Sequence, residues 1–151
     1  MNKLLVIGCG SIGRRHIENF KAAGVEQVAG VDARPDRLEQ LKTQFGLKGL
    51  YQDYRQALEA ESFEAVVVAT PPPSHVEIAL AAARQGCHLF IEKPLADSAA
   101  GLDDLARVVA DKKLVCLVAY CYRFIPSVVK MRELLQAGRI GRPLAVNLSM
   151  S

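Results

Sequence analysis

The sequence predicts an α/β fold built on a doubly wound parallel sheet. Short aliphatic runs alternate along the chain with stretches whose apolar residues recur every three or four positions. The aliphatic runs are apolar at consecutive positions, as expected of strands that are buried on both faces. Gly and Pro stand at many junctions between the two kinds of segment. Because strand–helix–strand units cross over with one hand, this alternation winds helices onto both faces of one sheet.

The first half of the predicted fold contains two strands, at 3–8 and 25–32, and two helices, at 11–24 and 35–46. Each helix ends on a glycine, the residue that most readily adopts the left-handed conformation found there. The second helix begins on a proline, whose fixed φ suits the first helical position. Residues 50–53 are predicted to form a short link.

The second half continues the alternation, with a brief helix at 54–60, strands at 64–70, 87–93 and 114–120, and helices at 75–86, 98–113 and 127–138. The run of prolines from Pro71 to Pro73 prevents the strand before it from continuing, because proline lacks the N–H that a sheet needs. Ser74 is suitably located to cap the helix that follows.

Three glycines connect the first predicted strand to the first predicted helix with the spacing G-x-G-x-x-G. Gly8 allows the tight turn, Gly10 lets the backbone approach a pyrophosphate, and Gly13 lets the helix pack closely against the strand. The N–H groups at the helix start, from Ser11 and Ile12 onward, and the positive end of the helix dipole are suited to receive the phosphates. The loop predicts a Rossmann-type dinucleotide site, with a ligand-free turn as the alternative.

An acidic residue in the expected position supports the dinucleotide interpretation. Asp32 ends the second predicted strand, 19 positions after Gly13, where it can accept hydrogen bonds from both hydroxyls of the adenosine ribose. Its charge disfavours a 2′-phosphate, so NAD is the expected cofactor. Arg34 can instead turn outward and pair with that phosphate, which keeps NADP possible; the alternative for Arg34 is a solvated loop charge.

Two later strand ends carry further candidates at the same edge of the sheet. Thr70 ends the strand at 64–70 and Pro71 follows it. Both are expected to line the cofactor groove, because ligands of open α/β sheets bind at this edge. His75 lies either at this site or simply in the first turn of its helix. Glu92 and Lys93 end the strand at 87–93. A lysine fixed at this edge can act as an acid or base, whereas the alternative is a surface Glu–Lys pair.

Composition excludes several other function classes. The chain has 151 residues and a formal charge of +3, and its basic residues are scattered among acids, which argues against nucleic acid and anionic membranes as partners. It has no apolar run long enough for a membrane span. The four cysteines form no C-x-x-C and no metal-ligand spacing with histidine, so we expect no metal site but reduced, buried thiols in a cytoplasmic protein.

The last ten residues follow a different pattern. From 142 to 151 apolar and polar residues alternate, which predicts a strand with one buried face, as in antiparallel sheets. We expect a dinucleotide-binding domain at 1–122, then a linking helix and the first strand of a second α/β domain at 123–151, the rest of which lies beyond the sequence. The alternatives are pairing with another subunit and an added edge strand on the same sheet.

Three blocks of the sequence together resemble the glucose–fructose oxidoreductase/inositol dehydrogenase/MocA family of NAD(P)-dependent oxidoreductases. They are GCGSIGRRH, VVVATPPPSHVEIALAAARQGCHLFIEKPLA and YRFIPSVVKMRELLQAGRIGRP, in the family's order. The resemblance implies a nucleotide-binding domain followed by a substrate and oligomerisation domain. It implies that Lys93 exchanges a proton with a substrate hydroxyl while hydride passes to or from the nicotinamide, that Glu92 and Thr70 lie along the cofactor, and that Arg123 lies near the domain junction.

The resemblance also sets expectations for the whole protein. The substrate would be a sugar, a cyclitol or a related polyol, the complete protein a homo-oligomer, and the second catalytic group, a histidine or aspartate, would lie beyond Ser151. Because catalysis needs groups on both sides of the transferred hydride, this chain alone should bind cofactor with little turnover. The alternatives are a lyase or hydrolase that recycles its NAD, and a non-catalytic sensor or scaffold. Cys121 departs from the family pattern, and we expect it to pack rather than react.

Overall fold

The computed structural model describes residues 3–147. The chain divides into two compact units, 1–119 and 120–151, each of which is described by itself. The predicted boundary at residue 122 remains a prediction.

The described part of the first unit is a six-stranded parallel sheet in the order β3-β2-β1-β4-β5-β6. This confirms the predicted doubly wound, Rossmann-type fold. The strands are β1 (Lys3–Ile7), β2 (Gln27–Val31), β3 (Leu50–Tyr51), β4 (Ala65–Val68), β5 (His88–Ile91) and β6 (Cys116–Val118). The helices are α1 (Ser11–Ala22), α2 (Pro35–Phe45), α3 (Tyr54–Ala60), α4 (His75–Arg84) and α5 (Leu102–Asp111).

Consecutive residues of the central strands point into two separate cores, one on each face of the sheet. Val66 of β4 packs in a cluster with residues of α3, α4 and α5, whereas its neighbour Val67 packs in a cluster with residues of α1 and α2. Both valines are fully buried. The unbroken aliphatic runs in the sequence therefore reflect burial on both faces, which a parallel sheet covered by helices requires.

The order of the strands creates a crevice at one edge of the sheet. β1 pairs with β2 on one side and with β4 on the other, so the winding direction reverses between β1 and β4. In open parallel sheets, ligands bind outside the carboxyl ends of the strands at such a reversal. The glycine loop follows β1 and the proline-rich turn follows β4, so both lie at this edge.

Three local predictions need correction. The expected link at 50–53 contains β3, which pairs with β2 over only two residues and so leaves no periodic signal. Helix α5 begins at Leu102 rather than at 98, because Gly101 has φ +77°, a left-handed conformation that a helix interior does not accept. Ser74 does not cap α4; its hydroxyl donates instead to Thr70 Oγ1 at 2.8 Å or to the Pro71 carbonyl at 2.9 Å.

The described part of the second unit contains a 3-10 turn at Cys121–Phe124 and one helix, α6 (Pro126–Gln136). Residues 142–147 form no strand, contrary to expectation, and the rest of that predicted strand, 148–151, lies outside the described residues. Alternation alone does not make a strand without a neighbour that accepts its hydrogen bonds. No helix within 3–147 combines the length and apolarity needed to cross a membrane.

Candidate functional site

The glycine loop is held against two neighbouring strands. Gly8 has φ +90°, and its N–H donates to the Val31 carbonyl at 2.8 Å. A Cβ at Gly8 would lie 2.6 Å from the Ala69 carbonyl oxygen, and a Cβ at Gly13 would lie 1.9 Å from the Gly8 oxygen. Both positions therefore require glycine for backbone reasons alone, as the predicted turn and helix packing imply.

Gly10 differs from the other two glycines. It precedes α1 with φ −67°, which any residue can adopt, and the nearest atom to a Cβ there is Nη1 of Arg37 at 3.8 Å. Neither the backbone nor the packing of the described residues demands glycine at this position. The open space above Gly10 is what a pyrophosphate would need in order to approach the backbone.

The start of α1 is free to bind an anion. Within residues 3–147, no side chain forms a capping hydrogen bond with this end of α1, and none of the residues in the first turn of α1 is acidic. The first N–H groups of a helix have no intrahelical partner and carry partial positive charge. Ser11 and Ile12 are exposed at this end, which makes it a suitable phosphate site.

Asp32 connects the glycine loop to the end of β2. Its side chain is only 6% exposed. Oδ2 accepts from the Cys9 backbone N–H at 2.9 Å and from Arg37 Nη1 at 3.1 Å, and Oδ1 accepts from the Arg34 backbone N–H at 3.0 Å. Since an ionised carboxylate offers about four acceptor sites, Asp32 retains capacity for a ribose hydroxyl on Oδ1, and gains more if Arg37 turns away.

The cation beside Asp32 is Arg37, which the sequence analysis did not identify. The guanidinium of Arg34 turns outward to Asp36, donating from Nε at 3.1 Å and from Nη2 at 2.6 Å. This contact raises the pKa of Arg34 and lowers that of Asp36, chiefly through the hydrogen bond between them. Any pairing of Arg34 with a 2′-phosphate would have to replace Asp36.

His75 contacts both the turn after β4 and the segment after β5. His75 is 1% exposed; its Nε2 lies 2.7 Å from the Thr70 carbonyl oxygen and its Nδ1 lies 2.9 Å from the Pro94 carbonyl oxygen. With both nitrogens engaged by backbone oxygens, His75 can influence a cofactor only through the loops that it holds. Pro71 is exposed at this edge, beside the half-buried Thr70.

Glu92 and Lys93 lie directly after β5. The Glu92 N–H donates to the Val68 carbonyl at 2.9 Å, which fixes this point next to the end of β4. The Glu92 carboxylate accepts from His16 Nε2 at 2.8 Å and from the Lys93 N–H at 3.2 Å. The side chain of Lys93 is exposed at the carboxyl edge, and the Lys93–Pro94 peptide bond is cis. His16 is a second residue that the sequence analysis did not assign to the site.

Three of the four cysteines are poorly suited to act as reactive groups. Burial raises the pKa of Cys9 to about 12, reinforced by the charge of Asp32, and burial also raises the pKa of Cys87 and Cys116. Thiols with raised pKa values stay protonated and unreactive at neutral pH. Cys121 is exposed, contrary to the expectation that it packs.

The remaining predicted site residue lies in the second unit. Arg123 occupies the 3-10 turn at Cys121–Phe124 and is exposed, and its role at the domain junction stays a prediction. Over residues 3–147, no group of three or more His, Cys, Asp and Glu side chains is arranged to hold a metal ion.

Comparison with protein families gives one match over most of the chain. The profile of GFO/IDH/MocA, described as an oxidoreductase family with an NAD-binding Rossmann fold, matches residues 2–120. That range contains the glycine loop, Asp32, the turn after β4 and Lys93.

Several curated proteins are similar over nearly the whole chain. Myo-inositol 2-dehydrogenase of Thermotoga maritima is 30% identical over 145 residues, which are 95% of this chain and 43% of the relative. Inositol 2-dehydrogenase/D-chiro-inositol 3-dehydrogenase of Halalkalibacterium halodurans is 35% identical over 146 residues, 93% of this chain and 42% of the relative. The chain therefore spans less than half the length of these relatives.

Solved structures share the fold. Myo-inositol 2-dehydrogenase from Lactobacillus plantarum superposes with a TM-score of 0.88 at 26% identity, over 93% of this chain and 42% of that one. Scyllo-inositol dehydrogenase from Lactobacillus casei, solved with bound NAD(H) and scyllo-inositol, superposes with a TM-score of 0.85 at 23% identity, over 93% and 42%.

Proposed function

The chain belongs to the GFO/IDH/MocA family of oxidoreductases, and from this we propose that it is the dinucleotide-binding domain of an enzyme that moves hydride between NAD and a hydroxyl group of a polyol or sugar. The observation that carries the proposal is that the start of α1 has no side-chain cap among the described residues, while the Asp32 carboxylate is bound to the glycine loop that leads into it, through the Cys9 N–H. Both features lie at the carboxyl edge of the sheet. The relatives' activity on inositols supports the substrate class.

Each part of the site has a proposed task. The N–H groups of Ser11, Ile12 and Gly13 bind the pyrophosphate, for which Gly10 leaves room. Asp32 accepts hydrogen bonds from the adenosine ribose, and Thr70 and Pro71 border the groove toward the nicotinamide.

The reacting end of the site is assigned to the residues after β5. The nicotinamide ring, when bound, accepts or donates the hydride. Lys93 takes the proton from the substrate hydroxyl in the oxidation direction and returns it in reduction. Glu92 fixes the backbone beside Lys93, and we propose, as the family resemblance implies, that Arg123 also contributes to cofactor binding in the complete enzyme.

The proposal extends to the setting of the complete enzyme. No disulfide is formed by the four cysteines, which fits a reducing compartment, and we propose the cytoplasm. We also propose that the complete enzyme is a homo-oligomer and that its remaining catalytic group lies outside this chain.

Titration of the chain with NADH, followed by the change in nicotinamide fluorescence, tests the proposal directly. We expect saturable binding with a dissociation constant below the millimolar range. Absence of binding at millimolar NADH, in a chain whose circular dichroism shows the α/β fold, would contradict the dinucleotide site.

The same titration tests the preference for NAD over NADP. Asp32→Ala is expected to weaken NADH binding about 10–100-fold, because it removes a hydrogen bond between an ionised carboxylate and the ribose that is worth about 1.5–3 kcal/mol. NADPH binding should fall less, since the charge that opposes the 2′-phosphate disappears and Arg37 is released. Asp111→Ala, at the exposed end of α5, is the matched control and should change neither affinity. A larger loss for NADPH than for NADH would argue against the proposed preference.

A further inference from the structure

Two histidines contact the residues on either side of Lys93. His16 of α1 donates to Glu92, which precedes Lys93, and His75 of α4 contacts the carbonyl of Pro94, which follows it. Helices α1 and α4 contribute to different cores on opposite faces of the sheet. The segment that carries Lys93 is therefore held from both faces.

The His16 contact is partly buried and supported by packing. The side chains of His16 and Glu92 are 14% and 18% exposed. The His16 ring packs edge-on against Phe90, with 5.2 Å between ring centroids, and this fixes its orientation toward the carboxylate. The second carboxylate oxygen of Glu92 accepts a hydrogen bond from the Lys93 N–H. Glu92 therefore links His16 of α1 to the backbone of Lys93 through two hydrogen bonds.

The contacts of His75 join two segments at the carboxyl edge of the sheet. Both nitrogens of this buried ring face carbonyl oxygens, those of Thr70 and Pro94, and a carbonyl oxygen can only accept. A neutral imidazole has a single N–H and can satisfy one of them, whereas an imidazolium donates to both. In either protonation state the ring lies between the two carbonyl oxygens and donates to at least one of them, so it links the turn after β4 to the segment after β5.

We propose that His16 and His75 are positioning residues that bracket Lys93, with His75 placed between the turn after β4 and the segment after β5. The inference rests on the proposed role of Lys93. Neither histidine reaches the reacting atoms; both act by fixing the backbone from which the Lys93 side chain extends.

The first test uses this chain without cofactor. In ¹⁵N NMR, a ring nitrogen of His75 is expected to show coupling across a hydrogen bond to the carbonyl of Thr70 or of Pro94. His16→Phe keeps an aromatic ring against Phe90 but removes the contact with Glu92, and should shift the Lys93 amide resonance. The absence of any such coupling would overturn the role of His75, and an unmoved Lys93 resonance in His16→Phe would overturn the role of His16. Neither measurement depends on nucleotide binding.

The second test uses the complete enzyme. His16→Phe and His75→Phe are each expected to lower kcat up to about 100-fold, the effect of a small misplacement of a reacting group, with NADH affinity nearly unchanged. The double variant should lose less than the product of the two single losses, because both act on one segment. His88→Phe, at the amino end of β5, is the control and should leave kcat unchanged.

The outcomes separate this inference from the proposed function. If the wild-type chain does not bind NADH, the proposed function fails, while the NMR measurement still decides whether the bracket exists. Unchanged kcat in His16→Phe, in an enzyme that binds NADH and turns over, would overturn the bracket alone. If His75→Phe does not fold, the wild-type His75 spectrum and the His16→Phe kinetics still decide the outcome.

Discussion

Replacing Lys93 with methionine is expected to lower the turnover of the complete enzyme by roughly 10²–10⁴-fold, the usual contribution of a well-placed proton acceptor or donor. The affinity for NADH should hardly change, because Lys93 extends from the end of β5 and belongs to neither the glycine loop nor the contacts of Asp32. Steady-state kinetics together with NADH titration of the same variant measure both quantities. Methionine retains most of the length of the side chain, so the loss reports on the amine.

Lys93→Arg distinguishes proton transfer from simple charge. Arginine keeps the positive charge but does not release a proton in a protein, so it should be nearly as inactive as methionine if Lys93 is the acid or base. Substantial turnover by Lys93→Arg would reduce Lys93 to an electrostatic role, and full turnover by Lys93→Met would remove it from the mechanism. Lys112→Met, exposed at the end of α5, is the control and should behave as wild type.

The fold was predictable because its signals are local. An aliphatic run, a glycine-rich turn and an amphipathic helix together define β1, the loop and α1, and the same logic extends through β4, α4 and β5. The errors occur where local pattern is weak or ambiguous. β3 is an edge strand that pairs with β2 over only two residues, and α5 starts late because of the backbone conformation of Gly101.

The candidate site was predictable only where its residues belong to a spaced motif. Asp32 was found because it stands at a fixed interval from the glycine loop. Arg37 was missed because Arg34, three residues earlier, has the same charge, and only the folded structure shows which of the two side chains contacts Asp32.

His16 was missed for a related reason. Its spacing in α1 fits a core-facing position, and its partner Glu92 lies 76 residues away in the chain. A contact between two such distant residues leaves no periodic signal in a single sequence.

Alanine substitutions at two positions of the glycine loop are expected to impair different properties: Gly13→Ala lowers stability, whereas Gly10→Ala lowers the affinity for NADH. Gly13→Ala should lower the free energy of unfolding by about 3 kcal/mol, because the new Cβ would meet the Gly8 carbonyl oxygen and force the backbone apart. Thermal denaturation should show this as a fall in Tm on the order of 10 °C for a chain of this size.

Gly10→Ala should instead leave Tm nearly unchanged, since the backbone conformation suits alanine and the nearest side-chain atom is in ordinary contact distance. Its expected defect is in binding: the methyl group occupies the space into which the pyrophosphate must come, so NADH affinity should fall by about 100-fold, equivalent to losing one or two hydrogen bonds to a charged group. Binding is measured by the NADH titration and stability by thermal denaturation of the same sample. If Gly10→Ala binds NADH normally, the pyrophosphate does not approach at Gly10. If Gly10→Ala instead unfolds like Gly13→Ala, its binding defect carries no information about the ligand, and Gly10 is required by the fold just as Gly13 is.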